Sequence, residues 1–186
     1  MRYHTRSTLG DYADGTAPTG ADPRSVRVVQ IDDGPDSVRQ TLRLMRALAR
    51  NSLKSPTQVV RNTTLGTIAE LPPRQWRAEI NACQAFVRDY VRYAMDPDNI
   101  ELVQTPDKTL ELQAGDCDDK STLLAAMLLS IGHPCRFLAV GFNHEPISHV
   151  LVEARCGEGW LPLETILPVA AGWYPPGVTS RYVLSA

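Results

Sequence analysis

The sequence predicts an α+β domain, with helices in its N-terminal half and an antiparallel sheet behind them. Two stretches carry this prediction. Between residues 36 and 94 apolar side chains recur at helical spacing, and from residue 135 onward short runs of β-branched and apolar residues are separated by turn residues. Helices first and strands later is the order of a domain whose helices pack together on one antiparallel sheet.

The elements follow in order. Residues 1–33 are rich in Gly, Pro, Asp and Thr with little periodicity, and read as an arm, flexible or docked on a partner. Within it, Val26 to Ile31 is apolar enough for one strand. The domain proper spans residues 34–186. A first helix starts after Asp33-Gly34-Pro35, with Val38, Leu42, Met45 and Ala49 on one face. Ser55-Pro56 has the form of an N-cap followed by proline at the first helical position, which predicts a second helix running to about Glu70. A third is expected from about Arg74 to Ala94, on a stripe of Trp76, Ile80, Cys83, Val87, Tyr90 and Val91. Asp96-Pro97-Asp98-Asn99 is a turn cluster, and residues 100–114 read as a loop with extended pieces. Gly115 to Lys120 leads into a helix over Ser121 to Ile131 that is apolar on most sides and therefore central, stopped by Gly132. Cys135 to Phe142, His149 to Arg155 and Trp160 to Leu163 read as strands, the last two joined by a hairpin at Gly157-Glu158-Gly159. The tail from Ala170 reads as a loop packed back by Trp173 and Tyr174.

Composition excludes several classes of function. The chain has 186 residues, 43% hydrophobic and 22% charged, and a net charge of −2, so it carries no electrostatic footprint for nucleic acid. No apolar run reaches the roughly 18 residues of a membrane span, and Met1 to Asp22 has no apolar core of a signal peptide. The expectation is synthesis in the cytoplasm. None of the four cysteines forms a CxxC pair, and without a secretion signal disulfides are not expected.

Of those cysteines, Cys117 differs in its setting. It sits where a loop becomes a helix, facing unpaired N–H groups and the positive helix end, both of which favour thiolate. Asp116, Asp118 and Asp119 act against this if they face the sulfur; alternatively they cap the helix or point to solvent. Cys83 lies in a core stripe and reads as filler. His133 follows the helix stop and reads as a cap, and His4 lies in the arm. His149 opens a strand and is placed to serve as a base or as a structural histidine. Glu164 follows the next strand, which a short hairpin brings alongside, so it can orient that imidazole. A zinc site built on Cys117, His149 and an aspartate is the minor alternative.

Gly115-Asp116-Cys117-Asp118-Asp119, the Ala/Leu-rich helix ending at Ile131-Gly132, His149-Val150 and Trp160-x-x-Leu163-Glu164 together resemble the transglutaminase-like superfamily, in the small bacterial and phage branch with a GDCDD motif. Phe86 to Tyr93, Asp96-Pro97 and Glu101 to Pro106 resemble that branch too, so the likeness covers about residues 36–175. The resemblance implies a papain-like core with a buried nucleophile helix on an antiparallel sheet. It also implies Cys117 as nucleophile, His149 as base and Glu164 as orienting acid, where the family usually has aspartate. Gly115, Asp116, Asp118 and Asp119 support the motif. An oxyanion hole is implied from the Cys117 N–H and a side-chain donor, for which Gln104 is preferred to Gln113. No metal or cofactor is implied.

Two function classes follow. The first is cysteine-dependent acyl transfer on a peptide or carboxamide bond of a protein or peptide substrate, with peptidase or amidase activity favoured over crosslinking. The second is a phage virion protein, of the tail or of head completion, docked on other virion proteins through the N-terminal arm and keeping a vestigial or auxiliary site.

Overall fold

The computed structural model describes residues 36–96 and 102–186, together with the backbone of Arg27 and Val28. Most of the proposed arm, and the turn at residues 97–99, lie outside the described residues. In chain order the elements are β1 (Arg27–Val28), α1 (Ser37–Ser52), α2 (Val59–Thr67), α3 (Trp76–Tyr90), β2 (Arg92–Tyr93), β3 (Leu102–Val103), α4 (Pro106–Leu112), β4 (Ala114–Gly115), α5 (Cys117–Ser130), β5 (Cys135–Phe142), β6 (Ile147–Cys156), β7 (Gly159–Leu163) and β8 (Val178–Ser185).

The α+β expectation holds. Helix α5 is the centre: Asp118 to Leu128 are all buried, and Leu123 through Leu128 lose all their exposure. A helix that is apolar all round must be covered all round. Leu42, Met45, Ala49, Val60, Ile80, Cys83 and Val87 cover it from α1, α2 and α3, and Phe137, Val150, Val152, Ala154 and Leu163 cover it from the sheet. That sheet has strand order β7-β6-β5-β8, antiparallel throughout. Its other face carries the smaller cluster Leu138, Val140 and Leu151.

Five local expectations are corrected. Ser55 does not cap α2: its hydroxyl pairs with Thr57, and the helix starts four residues later, at Val59, after left-handed Gln58. Helix α3 ends at Tyr90, because Arg92 and Tyr93 leave it to pair in parallel with Ala114 and Gly115. The stripe on α3 is not wholly buried, since Trp76 is 63% exposed. Residues 106–112, read as loop, form α4, capped by Thr105 with Pro106 in the first turn. The tail is not all loop either: Val178–Ser185 forms β8, paired along the whole of β5. The apolar patch in the arm does supply a strand, since Arg27–Val28 pairs antiparallel with Leu102–Val103 of the domain itself.

The β6–β7 hairpin is as expected, with Gly157 at φ +60°, where a side chain would be strained. Strand β7 ends at Leu163, opposite Val152. The β6 edge beyond that point, at Val150 and His149, is therefore left open on its β7 side, and the start of α5 docks there.

Candidate active site

The site is assembled at the first turn of α5. Asp116 is the N-cap: one carboxylate oxygen accepts the N–H groups of Asp118 (2.9 Å) and Asp119 (3.2 Å), and Asp119 Oδ2 accepts the Asp116 N–H in return (3.4 Å). This capping box satisfies two of the helix's orphan donors and leaves the Cys117 N–H unclaimed by the cap. Gly115 is required immediately upstream, because a Cβ there would lie 2.6 Å from Asp119 Cβ and 2.7 Å from its Oδ2. The three aspartates thus divide: Asp116 and Asp119 cap, as one reading of the sequence expected, while Asp118 sets Oδ1 3.6 Å from the Cys117 sulfur.

Cys117 is part-exposed, whereas Cys83 and Cys135 are buried. The open edge of β6 receives its helix through Val150, whose N–H hydrogen-bonds the Cys117 sulfur and whose carbonyl accepts from Ser121 Oγ at 3.2 Å. Residues one turn apart on α5 therefore hold the two backbone polar groups of one residue, the one that follows His149. The thiol is nevertheless not acidified at rest. Burial pushes its pKa well above the ordinary cysteine value, the Asp118 and Asp116 carboxylates add to this, and the Val150 N–H acts the other way. The sequence expectation of a thiolate-favouring helix end is thus reversed by burial and by Asp118. Tyr93 lies close enough for the Cys117 and Asp116 charges to raise its own pKa, after burial as the first cause, and its ring is 46% exposed at the rim.

His149 and Glu164 form a close pair, Nε2 to Oε2 at 2.8 Å. Glu164 is 2% exposed. Its second oxygen accepts the N–H groups of Ile166 (2.6 Å) and Leu167 (3.4 Å), so the turn after β7 wraps the longer glutamate side chain. Burial raises its pKa, but the hydrogen bond and charge of His149 and these two amides outweigh burial and hold the carboxyl below its ordinary value. An ionised carboxylate can only accept, so Nε2 carries the ring hydrogen and Nδ1 the lone pair. From α3, Gln84 Nε2 donates to the Glu164 carbonyl (2.7 Å) and the Val169 carbonyl (3.1 Å), anchoring this turn.

Gln104 and Gln113 are placed differently from the expectation. The Gln104 amide nitrogen donates to Asp119 Oδ2 (2.6 Å) and the Ala114 carbonyl (3.3 Å), while its backbone N–H donates to Asp119 Oδ1 (2.7 Å). Both side-chain N–H groups are thereby occupied, because the capping carboxylate of Asp119 is the stronger acceptor. Gln113 donates to the Tyr90 hydroxyl. His133 does more than follow a helix end: its Nε2 lies 2.8 Å from Glu79 Oε2, joining α3 to the end of α5.

Three residues had no role in the sequence reading: Tyr93, Gln84 and Val150. The Val150 contact is made by backbone and leaves no trace in residue type.

Comparison with known proteins agrees with this architecture. A model of the transglutaminase-like superfamily matches residues 58–165, more than half of the chain. No curated protein matches the sequence. Among solved structures, a "putative protease" from Parabacteroides distasonis is similar with a TM-score of 0.53 and 18% identity, over 76% of this chain and 29% of its own. A "putative cysteine protease" from Cytophaga hutchinsonii gives 0.47 and 16%, over 70% of this chain and 51% of its own. The chain thus spans less than a third of the length of the first of these and about half of the second. With the family match over more than half of its length, and an antiparallel sheet packed on a buried helix that begins at Cys117, this chain belongs to the transglutaminase-like superfamily.

Proposed function

We propose that the protein is a cysteine-dependent acyl-transfer enzyme that cleaves a peptide or carboxamide bond, with Cys117 as nucleophile, His149 as base and Glu164 as the group that orients His149. The observation that carries this reading is the pairing of His149 Nε2 with a buried, ionised Glu164, while the next residue, Val150, hydrogen-bonds the sulfur.

The chemistry follows from the raised thiol pKa. A sulfur that is not thiolate at rest needs its proton removed as it attacks, so His149 Nδ1 takes the Cys117 proton while sulfur bonds to the substrate carbonyl carbon. The Cys117 N–H, left free by the cap, donates to the oxyanion that forms. Gln104 serves the same centre indirectly, by holding Asp119 and so the capping box. Collapse of the tetrahedral intermediate breaks the C–N bond, and the imidazolium returns its proton to the leaving amine. A water then attacks the thioester, giving its proton to His149, and the thiol is restored on release of the acid. Hydrolysis is favoured over transfer to an amine because Cys117 is part-exposed and Tyr93, near it, is exposed, which lets water reach the thioester.

The test is site-resolved alkylation. Iodoacetamide at low concentration labels Cys117 at least about tenfold faster than Cys83 or Cys135, because those two are buried in the core whereas Cys117 is part-exposed and has a base proposed to take its proton. Cys117→Ala abolishes turnover of peptide or carboxamide substrates, and His149→Ala slows both turnover and Cys117 labelling by at least about a hundredfold. Equal labelling of Cys117 and the core cysteines, or unchanged turnover in Cys117→Ala, overturns the reading.

A further inference from the structure

Strand β2 is paired on one side only. The Arg92 N–H donates to Gln113 O at 2.9 Å and the Ala94 N–H to Gly115 O at 3.1 Å, so Arg92 and Ala94 turn their amides towards β4. Alternation along the strand then turns the N–H and C=O of Tyr93 the other way. Among the described residues these two groups have no hydrogen-bond partner, and both residues of β2 are exposed. The opposite edge of the pair is closed, because Gln104 Nε2 donates to the Ala114 carbonyl. An extended strand with one free edge is a template for another extended chain.

The free edge lies beside the proposed reacting centre. Tyr93 is the register partner of Gly115, and Cys117 follows two residues later. The segment after Tyr93 is anchored at both ends: Ala94 is tied to Gly115, and the Asp96 carboxylate accepts the Leu102 N–H. Met95, between these anchors, is nevertheless 76% exposed, next to half-exposed Tyr93. Tyr90 and Leu112 add exposed apolar side chains where the two paired stretches begin. Tyr90 is steadied there by the Gln113 amide and by stacking on Phe86 at 4.8 Å. Large apolar side chains held in solvent by an anchored backbone, and gathered on adjoining stretches, mark an interaction surface.

We propose that the outer edge of β2 is the docking rail for the substrate, and that the substrate is an extended peptide carrying a large apolar side chain. The peptide exchanges main-chain hydrogen bonds with the Tyr93 N–H and C=O, and lays that side chain against Tyr93 and Met95. Spacing gives the register. A strand on this edge lies two strand spacings from β4, about 10 Å, and an extended chain covers about 3.3 Å per residue. The reacting carbonyl therefore falls about three residues from the apolar side chain.

The inference rests on Cys117 as the reacting centre, and its experiment separates the two. The probes are capped dodecapeptides of Ser, Ala and Gln with one Phe placed at successive positions. The wild type is expected to hydrolyse a bond, main-chain or glutamine carboxamide, whose place moves with the Phe. Mass spectrometry locates it about three residues away, with kcat/KM at least about tenfold above that of the peptide lacking Phe. Met95→Ser removes most of that preference, and so does N-methylation of the peptide nitrogen beside the Phe. Binding is read separately in Cys117→Ala, where the Phe peptides shift the Met95 methyl signal in NMR, assigned by its loss in Met95→Leu. Hydrolysis that ignores the Phe and is unchanged in Met95→Ser overturns the rail and leaves the enzyme. A Met95 methyl signal unmoved by the Phe peptides in Cys117→Ala also overturns it. A shifted signal with no hydrolysis by the wild type keeps the rail as a peptide-docking edge and removes only the enzymatic reading.

Discussion

At the scale of single residues, Asp118 is the most informative side chain of the motif. Its neighbours Asp116 and Asp119 are consumed by the helix cap, while Asp118 stands 3.6 Å from the sulfur and raises the thiol pKa. Neutralising it removes a like charge from the developing thiolate. Asp118→Asn is expected to raise the Cys117 alkylation rate at pH 7 by about threefold to tenfold. A rate equal to or below the wild type would mean that the carboxylate does not oppose ionisation. The glutamate at position 164 is explained on the same scale. Its extra methylene is taken up by a turn whose Ile166 and Leu167 amides bind the second oxygen, so the first still reaches His149 at 2.8 Å.

At the scale of the element, the first turn of α5 is a cap under strain from burial. Asp119 is 1% exposed, and burial raises its pKa from 3.8 to about 7 despite the amides of Gln104 and Asp116. The sign of the linkage follows. Between pH 3.8 and about 7 the folded protein holds a proton on Asp119 that the unfolded chain has released. This group's contribution to stability is therefore greatest at the acid end, declines as pH rises through that window, and is constant above it. In urea unfolding followed by circular dichroism, Asp119→Asn should show a smaller fall in midpoint between pH 4.5 and 7.5 than the wild type. Parallel falls in the two proteins would rule out Asp119 as the source. The short strands β2 and β4 belong to the same unit, because the Arg92 N–H donates to Gln113 O (2.9 Å) and the Ala94 N–H to Gly115 O (3.1 Å), setting the entry into the first turn of α5.

At the scale of the whole molecule, the site exists because three layers meet at one open strand edge. Helix α5 is held between α1–α3 and the sheet, β7 stops at Leu163, and the Val150 backbone, left unpaired by β7, receives Cys117 and Ser121. The sheet is closed on its far side by β8, and Arg50 of α1 donates to Ala186 O (2.8 Å) while the Ala186 N–H donates to Cys135 O (3.1 Å). Removing residues 178–186 would bare the long edge of β5, which carries Phe137 and Ala139 of the core. An unpaired, apolar edge of that length associates with other chains. The shortened chain is expected to lose cooperative unfolding and to aggregate in size-exclusion chromatography, and a monomer with unchanged melting temperature would contradict this. Among the described residues no helix is long and apolar enough to cross a membrane.

The sequence by itself determined the order of helices and strands, the centrality of α5, and the cysteine at its start. Each of these is written in local periodicity or in residue type: apolar on all sides for α5, alternation for β5 and β6, a cysteine behind Gly-Asp at a helix start. Short elements escaped because their signals compete with stronger neighbours. Helix α4 was hidden behind a turn cluster despite its Thr105-Pro106 start, and β8 followed the Gly-Trp-Tyr-Pro-Pro-Gly turn with a mostly exposed, polar strand. Only the tertiary structure decided which carboxylate faces the sulfur, where the Gln104 amide is spent, and that Glu164 is buried. Those facts depend on long-range packing and on backbone groups such as the Val150 N–H, and the physical reason is desolvation: a charge's energy is set by what surrounds it in space, which residues far apart in the chain supply.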